Sequence, residues 1–523
     1  MRTKATRWKE IEDTIVDQEK TATLITPQNT LMMQGFEWHV PADQRHWQRL
    51  RKALPSLRDA GVDYLWIPPG CKGMEPHGTG YDLYDLYDIG EFHQKGSRAT
   101  RWGSKEDLQA LVRRAKDIGI GILWDTVLNH KAGADSVERF PALMVEPEDR
   151  NVEISEPETI AGWVGFNFPG RAGKYSAMGY HHQHFNGVDW DNLRQRQAIY
   201  KISGPGKQWA TDVSDEHGNY DYLMFANLDH NNSEVRADIF HWLEWIGTEL
   251  PISGMRIDAA KHYSAAFQRD CVDHLRNTVG ANYLLVGEYW RGGVEHLLRY
   301  LKVMDYQVSL FDVPLLGQFA LASQTERSDL RKIFRGTLVE QSPKHAVTFV
   351  GNHDTQPGQS LETIIVPFFK PIAYALILLR TQGQPCIFYG DLYGIRSGPS
   401  LVLSPSCQGK LPVLMRARKH YAYGDQCDYF DKRNCIGFVR YGNIFRPSGL
   451  ACVISNAGAT YKRMYVGAKH RGEEWTDILE WSAGTVVIDS RGYGIFPVGA
   501  KSVSVWVNSQ AKGREHLQRP LYV

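Results

Sequence analysis

The stretch GMRIDAAKHYSAAFQRDCVDHLRNTVGANYLLVGEYW, residues 254–290, contains a short apolar strand, a helix-length segment and a second apolar strand. Gly254–Asp258 and Leu284–Glu288 read as strands and Tyr263–Val279 as the helix between them, which makes a βαβ unit. Outward from this unit the same rhythm repeats. Further strands are read at Leu31–Trp38, Tyr64–Pro68, Ile120–Leu128, Gln307–Asp312, Ala346–Val350 and Pro385–Gly390. Helices are read at Trp47–Ala60, Lys105–Ile118, Glu234–Leu250 and Pro371–Gln382, with Ser104 as an N-cap and Gly119 as a helix stop. Several strands are apolar on both faces, as parallel strands covered by helices must be. Eight of them predict an α/β fold closed into a (β/α)8 barrel.

Two intervals break the rhythm. Residues 131–232 are rich in Gly, Asn, Asp, His and Trp without a βα unit, and a structureless loop of that length is implausible inside a compact domain. They read as a domain inserted after the third strand. From about residue 424 short alternating strands such as Ala451–Ser455, Arg463–Val466 and Ser502–Val507 predict a C-terminal antiparallel β-sandwich. The expected division is an extension at 1–28, a barrel at 29–130 and 233–423, the insertion at 131–232, and the β domain with a short tail at 424–523.

Composition narrows the function. Among 523 residues, 60 Lys and Arg nearly cancel 59 Asp and Glu, which argues against a nucleic acid or an anionic membrane as partner and favours a neutral one. No apolar run marks a secretory signal at the N-terminus or a membrane span elsewhere. Cysteines 71, 271, 386, 407, 427, 435 and 452 are odd in number and form no C-x-x-C pair, so free thiols and a cytoplasmic location are expected. A monomer is expected.

In such a barrel the C-terminal strand ends carry the active site. Those ends supply Asp125, Arg256, Asp258, Glu288, His353 and Asp354, so acids from different strands converge on one mouth. Glycoside hydrolysis needs that arrangement, a nucleophilic carboxylate and a proton donor on opposite sides of one bond. Arg256 and Asp258 are two apart on one strand and share a face, so the cation is expected to lower the Asp258 pKa. Glu288, close to Asp258 and Asp354, is expected to titrate high and act as the acid. A single acid at a strand end is more often a helix cap or an ion-pair partner.

Longer motifs add to this. DTVLNH (125–130), GMRIDAAKH (254–262), GEYW (287–290) and VGNHDT (350–355) resemble the four signature regions of the α-amylase family, glycoside hydrolase family 13. WIPPGCKG (66–73), YDLYDLYDIGEFHQKG (81–96), NHDTQPGQSLE (352–362), RKHYAYG (418–424) and KRMYVG (462–467) resemble most closely the liquefying bacterial-type α-amylases and their intracellular fungal relatives. The resemblance implies Asp258 as nucleophile, Glu288 as general acid/base and Asp354 as transition-state stabiliser. It implies Arg256, His130 and His353 around the attacked sugar, Tyr81 stacked on it, and Lys261, His262 and Trp290 on the leaving-group side. The reaction implied is retaining, endo-acting cleavage of α-1,4-linked glucan and maltooligosaccharides of the starch or glycogen type, with no organic cofactor.

The family's calcium ligands are matched by Asn129, Asp221 and the His262 carbonyl, but Asn227 stands where relatives have Asp. A second cation cluster of secreted members is more eroded, with Asn186, Ala210 and Asn231 in place of acids and Asp229 kept. Calcium affinity follows the number of charged oxygens, so at most one weakly bound calcium is expected. Asn129 and Asp221 joined by hydrogen bonds alone is the competing reading. Gly351 is a smaller departure, at a position where the family has an acid. The rival functions are an intracellular 4-α-glucanotransferase using the same acids, and a non-catalytic glucan-binding protein, which the presence of all three acids disfavours.

Overall fold

The computed structural model describes residues 29–398 and 401–521. The expected extension at 1–28 lies outside the described residues. Eight parallel strands close into a barrel: β1 (Met32–Gln34), β2 (Tyr64–Trp66), β3 (Gly121–Thr126), β4 (Gly254–Ile257), β5 (Leu284–Gly287), β6 (Ser309–Phe311), β7 (Ala346–Phe349) and β8 (Gln384–Phe388). Each pairs with its sequence neighbour, and β1 closes on β8 through Met32 opposite Cys386. Every strand read from the sequence is present, shorter than expected because the pairing stops where chain ends turn into the site.

Local chemistry accounts for the helices. Lys105–Asp117 starts where Ser104 accepts a hydrogen bond from Asp107 N, and it stops before Gly119, whose φ of +74° no β-carbon favours. Ala265–Thr278 is capped in the same way by Ser264, which accepts from Phe267 N. Val313–Gln324 was not legible, because it is apolar on nearly every side and shows no amphipathic period.

Between β3 and β4 the chain builds a six-stranded antiparallel sheet, in the order His130–Lys131, Ala226–Leu228, Phe185–Asp191, Arg196–Ile202, Ser136–Met144 and Glu158–Gly165. After the barrel a second six-stranded sheet forms, beginning with Gln426–Lys432 and Cys435–Arg440. The ribbon Thr460–Tyr465 with Tyr493–Val498 packs on it over a core containing Trp475, Phe496 and Trp506. The seven cysteines are free, six of them buried. Among the described residues no helix is long and apolar enough to cross a membrane.

One strand-end acid shows the structural role such residues usually have. Asp312, fully buried after β6, accepts from Leu315 N at 3.1 Å, Leu338 N at 3.0 Å and Val339 N at 2.7 Å, tying two helices together. Burial pushes its pKa up to about 6, and the three amides pull the other way. Replacing it orphans those amides. Asp312→Ala is expected to lower stability by about 2–4 kcal/mol in urea unfolding, while activity per folded molecule stays unchanged.

Candidate active site

The barrel register assembles the site. Arg256 lies opposite Asp125, and Ile257 lies opposite both Thr126 and Gly287. Asp258 and Glu288, one residue further on, therefore leave adjacent strands side by side. Asp354 arrives on the loop after β7, where Asn352 Oδ1 accepts from Asp354 N at 3.0 Å and Thr355 N at 2.9 Å.

A single guanidinium organises these acids. Arg256 Nη1 donates to Asp125 Oδ1 at 2.8 Å and to Asp258 Oδ1 at 2.6 Å, and Nη2 lies 3.0 Å from Glu288 Oε2. The other Asp125 oxygen accepts from Trp66 Nε1 at 2.8 Å and from the Tyr81 hydroxyl at 2.7 Å. Asp125 is thereby held by three hydrogen bonds and is the least exposed of the four acids. Ala259 takes the left-handed φ of +50°, rare for a non-glycine residue, and its N–H donates to Glu288 Oε2 at 2.9 Å.

Burial pushes the Asp258 carboxyl well above the usual range; Arg256 opposes this, and Glu288, Asp125 and Asp354 add to the rise. This corrects the expectation that Arg256 would lower it, since desolvation and three neighbouring carboxylates outweigh one cation. Glu288 is raised as expected, by burial first and by Asp354 and Asp125. Asp354 is pushed up to about 6, mainly by burial. The three carboxyls are coupled, and burial raises each of them above its ordinary value.

The remaining residues divide into two sets. Tyr81, His353 and Trp38 form a stack, with Tyr81 and His353 centroids 5.0 Å apart and 8° from parallel, and Trp38 5.7 Å from His353. Burial holds His353 neutral; Gln34 Nε2 donates to its Nδ1 at 2.9 Å, leaving the proton on Nε2, 3.3 Å from Asp354 Oδ2. Burial lowers the His130 pKa to about 4, and its Nε2 bonds the Tyr81 carbonyl at 2.7 Å, so it holds the backbone of the residue expected to stack on the sugar. On the other side Lys261 Nζ pairs with Glu216 Oε2 at 2.6 Å, and His262 Nδ1 bonds the Tyr220 carbonyl at 3.0 Å. Trp290 is half-buried, 6.2 Å from Phe349.

At the junction with the inserted sheet, four side chains form a relay. Asn129 Nδ2 donates to Asn227 Oδ1 at 3.2 Å, Asn227 Nδ2 to Asn186 Oδ1 at 2.9 Å, and Asn186 Nδ2 to Asp221 Oδ2 at 2.7 Å. Asn129 Oδ1 and Asp221 Oδ1 are buried without a hydrogen-bond partner. Two orphaned oxygens fit a hard cation, but among the described residues no group of three or more His, Cys, Asp or Glu is placed to hold one. At the eroded second cluster Lys207 Nζ lies 2.6 Å from Asp229 Oδ2 and donates to the Gln183 carbonyl at 2.5 Å, putting an ammonium against the one acid retained.

The catalytic-domain model of α-amylases matches residues 42–400, and the α-amylase C-terminal domain model matches residues 450–507. The chain belongs to the α-amylase family. It is 45% identical over 481 residues to an α-amylase of Bacillus licheniformis, covering 92% of this chain and 93% of that protein. To the cytoplasmic α-amylase of Escherichia coli K12 it is 38% identical over 489 residues, covering 92% of this chain and 99% of that one. The fold matches the crystal structure of an α-amylase from Geobacillus thermoleovorans with a TM-score of 0.61 at 16% identity, covering 92% of this chain and 99% of that one.

Against this family background, sequence reading missed several residues. Gln34 ends β1 and Trp38 lies on the loop that follows it, as the other site residues follow their strands, and that position was the available signal. A groove of about 240 Å³ lined by Met74, Trp163, Asp189, Trp190 and Phe225 was not legible, because exposure of an aromatic is decided by tertiary packing. Phe225 links it to the site, its ring 5.6 Å from that of His130.

The Lys207–Asp229 pair has a consequence for stability. Lys207→Ala leaves Asp229 buried and unpaired, and is expected to cost about 3 kcal/mol by chemical denaturation. Adding Asp229→Asn to that variant is expected to recover part of the loss.

Proposed function

We propose that this α-amylase is an endo-acting retaining hydrolase of α-1,4-glucosidic bonds in starch- or glycogen-type glucans and maltooligosaccharides. The single observation carrying this reading is the convergence of Asp258 and Glu288 on one buried guanidinium at the barrel mouth, with Asp354 close enough to raise the pKa of both. Asp258 and Glu288 are both raised and titrate as one cluster; the shorter contact of Asp258 with Arg256 favours the form that the reaction uses, with the charge on Asp258 and the proton on Glu288. Asp258 then attacks the anomeric carbon while Glu288 protonates the leaving oxygen. The glycosyl–Asp258 ester is hydrolysed by water that gives its proton back to Glu288. Asp354, with the neutral His353 beside it, supports the oxocarbenium-like ring, and Tyr81 supplies a flat face to it. Lys261, His262 and Trp290 border the leaving-group side. The Trp163–Trp190 groove extends the path for longer chains.

The domain division stated above is part of this reading, as is a monomeric protein. So is cytoplasmic residence, supported by the free thiols and by the similarity to the cytoplasmic α-amylase of Escherichia coli. One weakly held calcium would sit on Asn129, Asp221, Asn227 and the His262 carbonyl. Its contribution when bound is to pin the inserted domain to the barrel, with no part in bond cleavage.

Maltoheptaose incubated with the protein is expected to yield shorter oligomers, and Asp258→Asn is expected to lose on the order of 10⁴-fold in kcat. Release of no product by the parent, or equal release by the variant, would overturn the reading. The pH dependence gives a second check. Removing the Asp354 charge makes ionisation of Asp258 and Glu288 easier, so Asp354→Asn, besides losing about 10²–10³-fold in kcat, is expected to show a pH–rate profile displaced to lower pH. An unshifted profile would deny the coupling.

A further inference from the structure

Two loops rise from the barrel directly beyond the acids, one at Ala259–Ser264 after Asp258 and one at Tyr289–Arg291 after Glu288. A segment of the inserted domain, residues 212–216, is fastened to both. Ser214 N donates to the Lys261 carbonyl at 2.9 Å, and Ser264 Oγ and Ala266 N donate to Asp212 Oδ2 at 2.9 and 2.7 Å. Lys261 Nζ holds Glu216 Oε2 at 2.6 Å. Arg291 completes the fastening: Nη1 donates to Asp215 Oδ1 and to Ser214 Oγ, each at 2.8 Å, and lies 3.6 Å from Glu216 Oε2, while Nη2 donates to His296 Nε2 at 2.9 Å.

The charges in this strap are ordered in depth. The cationic side chains of Lys261 and Arg291 are 10% and 16% exposed, and the acids Glu216 and Asp215 are 35% and 68% exposed. What faces outward is a pair of carboxylates with their counter-ions behind them. Burial raises the Glu216 pKa, but the bond from Lys261 and the nearby Arg291 outweigh it; the bond from Arg291 lowers Asp215. Both stay ionised and act only as hydrogen-bond acceptors.

We infer that Arg291 is a positioning residue that fixes Asp215 and Glu216 as acceptors for a sugar on the leaving-group side, and so sets how the glycosyl-enzyme divides between water and a second glucan. The inference rests on the retaining mechanism proposed above. In the transfer step the ester bond to Asp258 breaks and a bond forms from the anomeric carbon to a hydroxyl oxygen of the incoming sugar. The proton of that hydroxyl passes to Glu288. Water follows the same course, but its one oxygen is held at the reacting centre alone, whereas a sugar's other hydroxyls reach the strap. Ordered acceptors therefore lower the barrier for sugar and leave that for water almost unchanged. Arginine suits the task because its planar fork holds Asp215 and Ser214 at once, which a lysine ammonium does less rigidly.

The test follows products from maltoheptaose while maltotriose is added as acceptor, comparing the parent with Arg291→Ala, Arg291→Lys and the exposed Asp215→Asn. Loss of one charge-assisted hydrogen bond predicts that Arg291→Ala lowers the ratio of products longer than maltoheptaose to total cleavage by about tenfold. Because the same subsite holds the leaving sugar during cleavage, kcat/KM on maltoheptaose should fall by a similar factor, whereas cleavage of an aryl maltoside, whose leaving group is not a sugar, should change by less than about threefold. Arg291→Lys should restore part of the ratio, and Asp215→Asn should lower it with folding intact. A ratio unchanged in Arg291→Ala and Asp215→Asn, or an equal loss of cleavage on the aryl maltoside, overturns the assignment while the hydrolase reading stands. A parent that cleaves nothing overturns both.

Discussion

Arg256 is a fully buried cation around which the barrel mouth is built. Its guanidinium is in contact with Asp125, Asp258 and Glu288, and Trp66 and Tyr81 lie under it, with ring centres 4.9 and 5.7 Å from Cζ. Three carboxylates in such a space repel one another strongly, and the guanidinium is what makes their proximity tolerable. Because it offsets only part of that repulsion and of the desolvation, the carboxyls titrate above their ordinary range, as the acid step of the proposed mechanism requires. The same interaction fixes the register of β3, β4 and β5, since Arg256 reaches Asp125 only when those strands pair as they do.

The inserted domain is held to the barrel by several independent means. An amide relay runs from Asn129 to Asp221, an ammonium sits on Asp229, and the segment 212–216 is tied down by Lys261, Ser264 and Arg291. In the first two places the chain's own amides and a tethered ammonium meet the acids Asp221 and Asp229. The junction is therefore largely satisfied by the chain's own groups, and the two orphaned oxygens at Asn129 and Asp221 mark where a cation would still find purchase. In the inference drawn above, the same fastening links domain attachment to the choice of acceptor.

The eight barrel strands were legible because each is a short apolar run bounded by turn residues, and the (β/α)8 closure follows from their number and alternation. The positions of Asp258, Glu288 and Asp354 were legible for the same reason: they stand at strand ends in motifs resembling those of a known family. Asp312 stands at a strand end too, and sequence cannot tell it from the others, because what separates a cap from a reactive acid is which N–H groups surround it. His130 shows the same limit, its ring nitrogen being directed to a backbone carbonyl that only the folded chain brings near.

The sequence by itself thus determined the barrel, the insertion after β3, the C-terminal sheets and the identity of the converging acids, since these follow from periodicity, spacing and motif. The tertiary structure alone decided the protonation balance of the cluster, because desolvation depends on what lies around a carboxylate and not on what lies beside it in the chain. It also decided the strap of Arg291 on Asp215 and Glu216 and the Trp163–Trp190 groove. Those are contacts and exposures between segments tens of residues apart, and no local pattern encodes them.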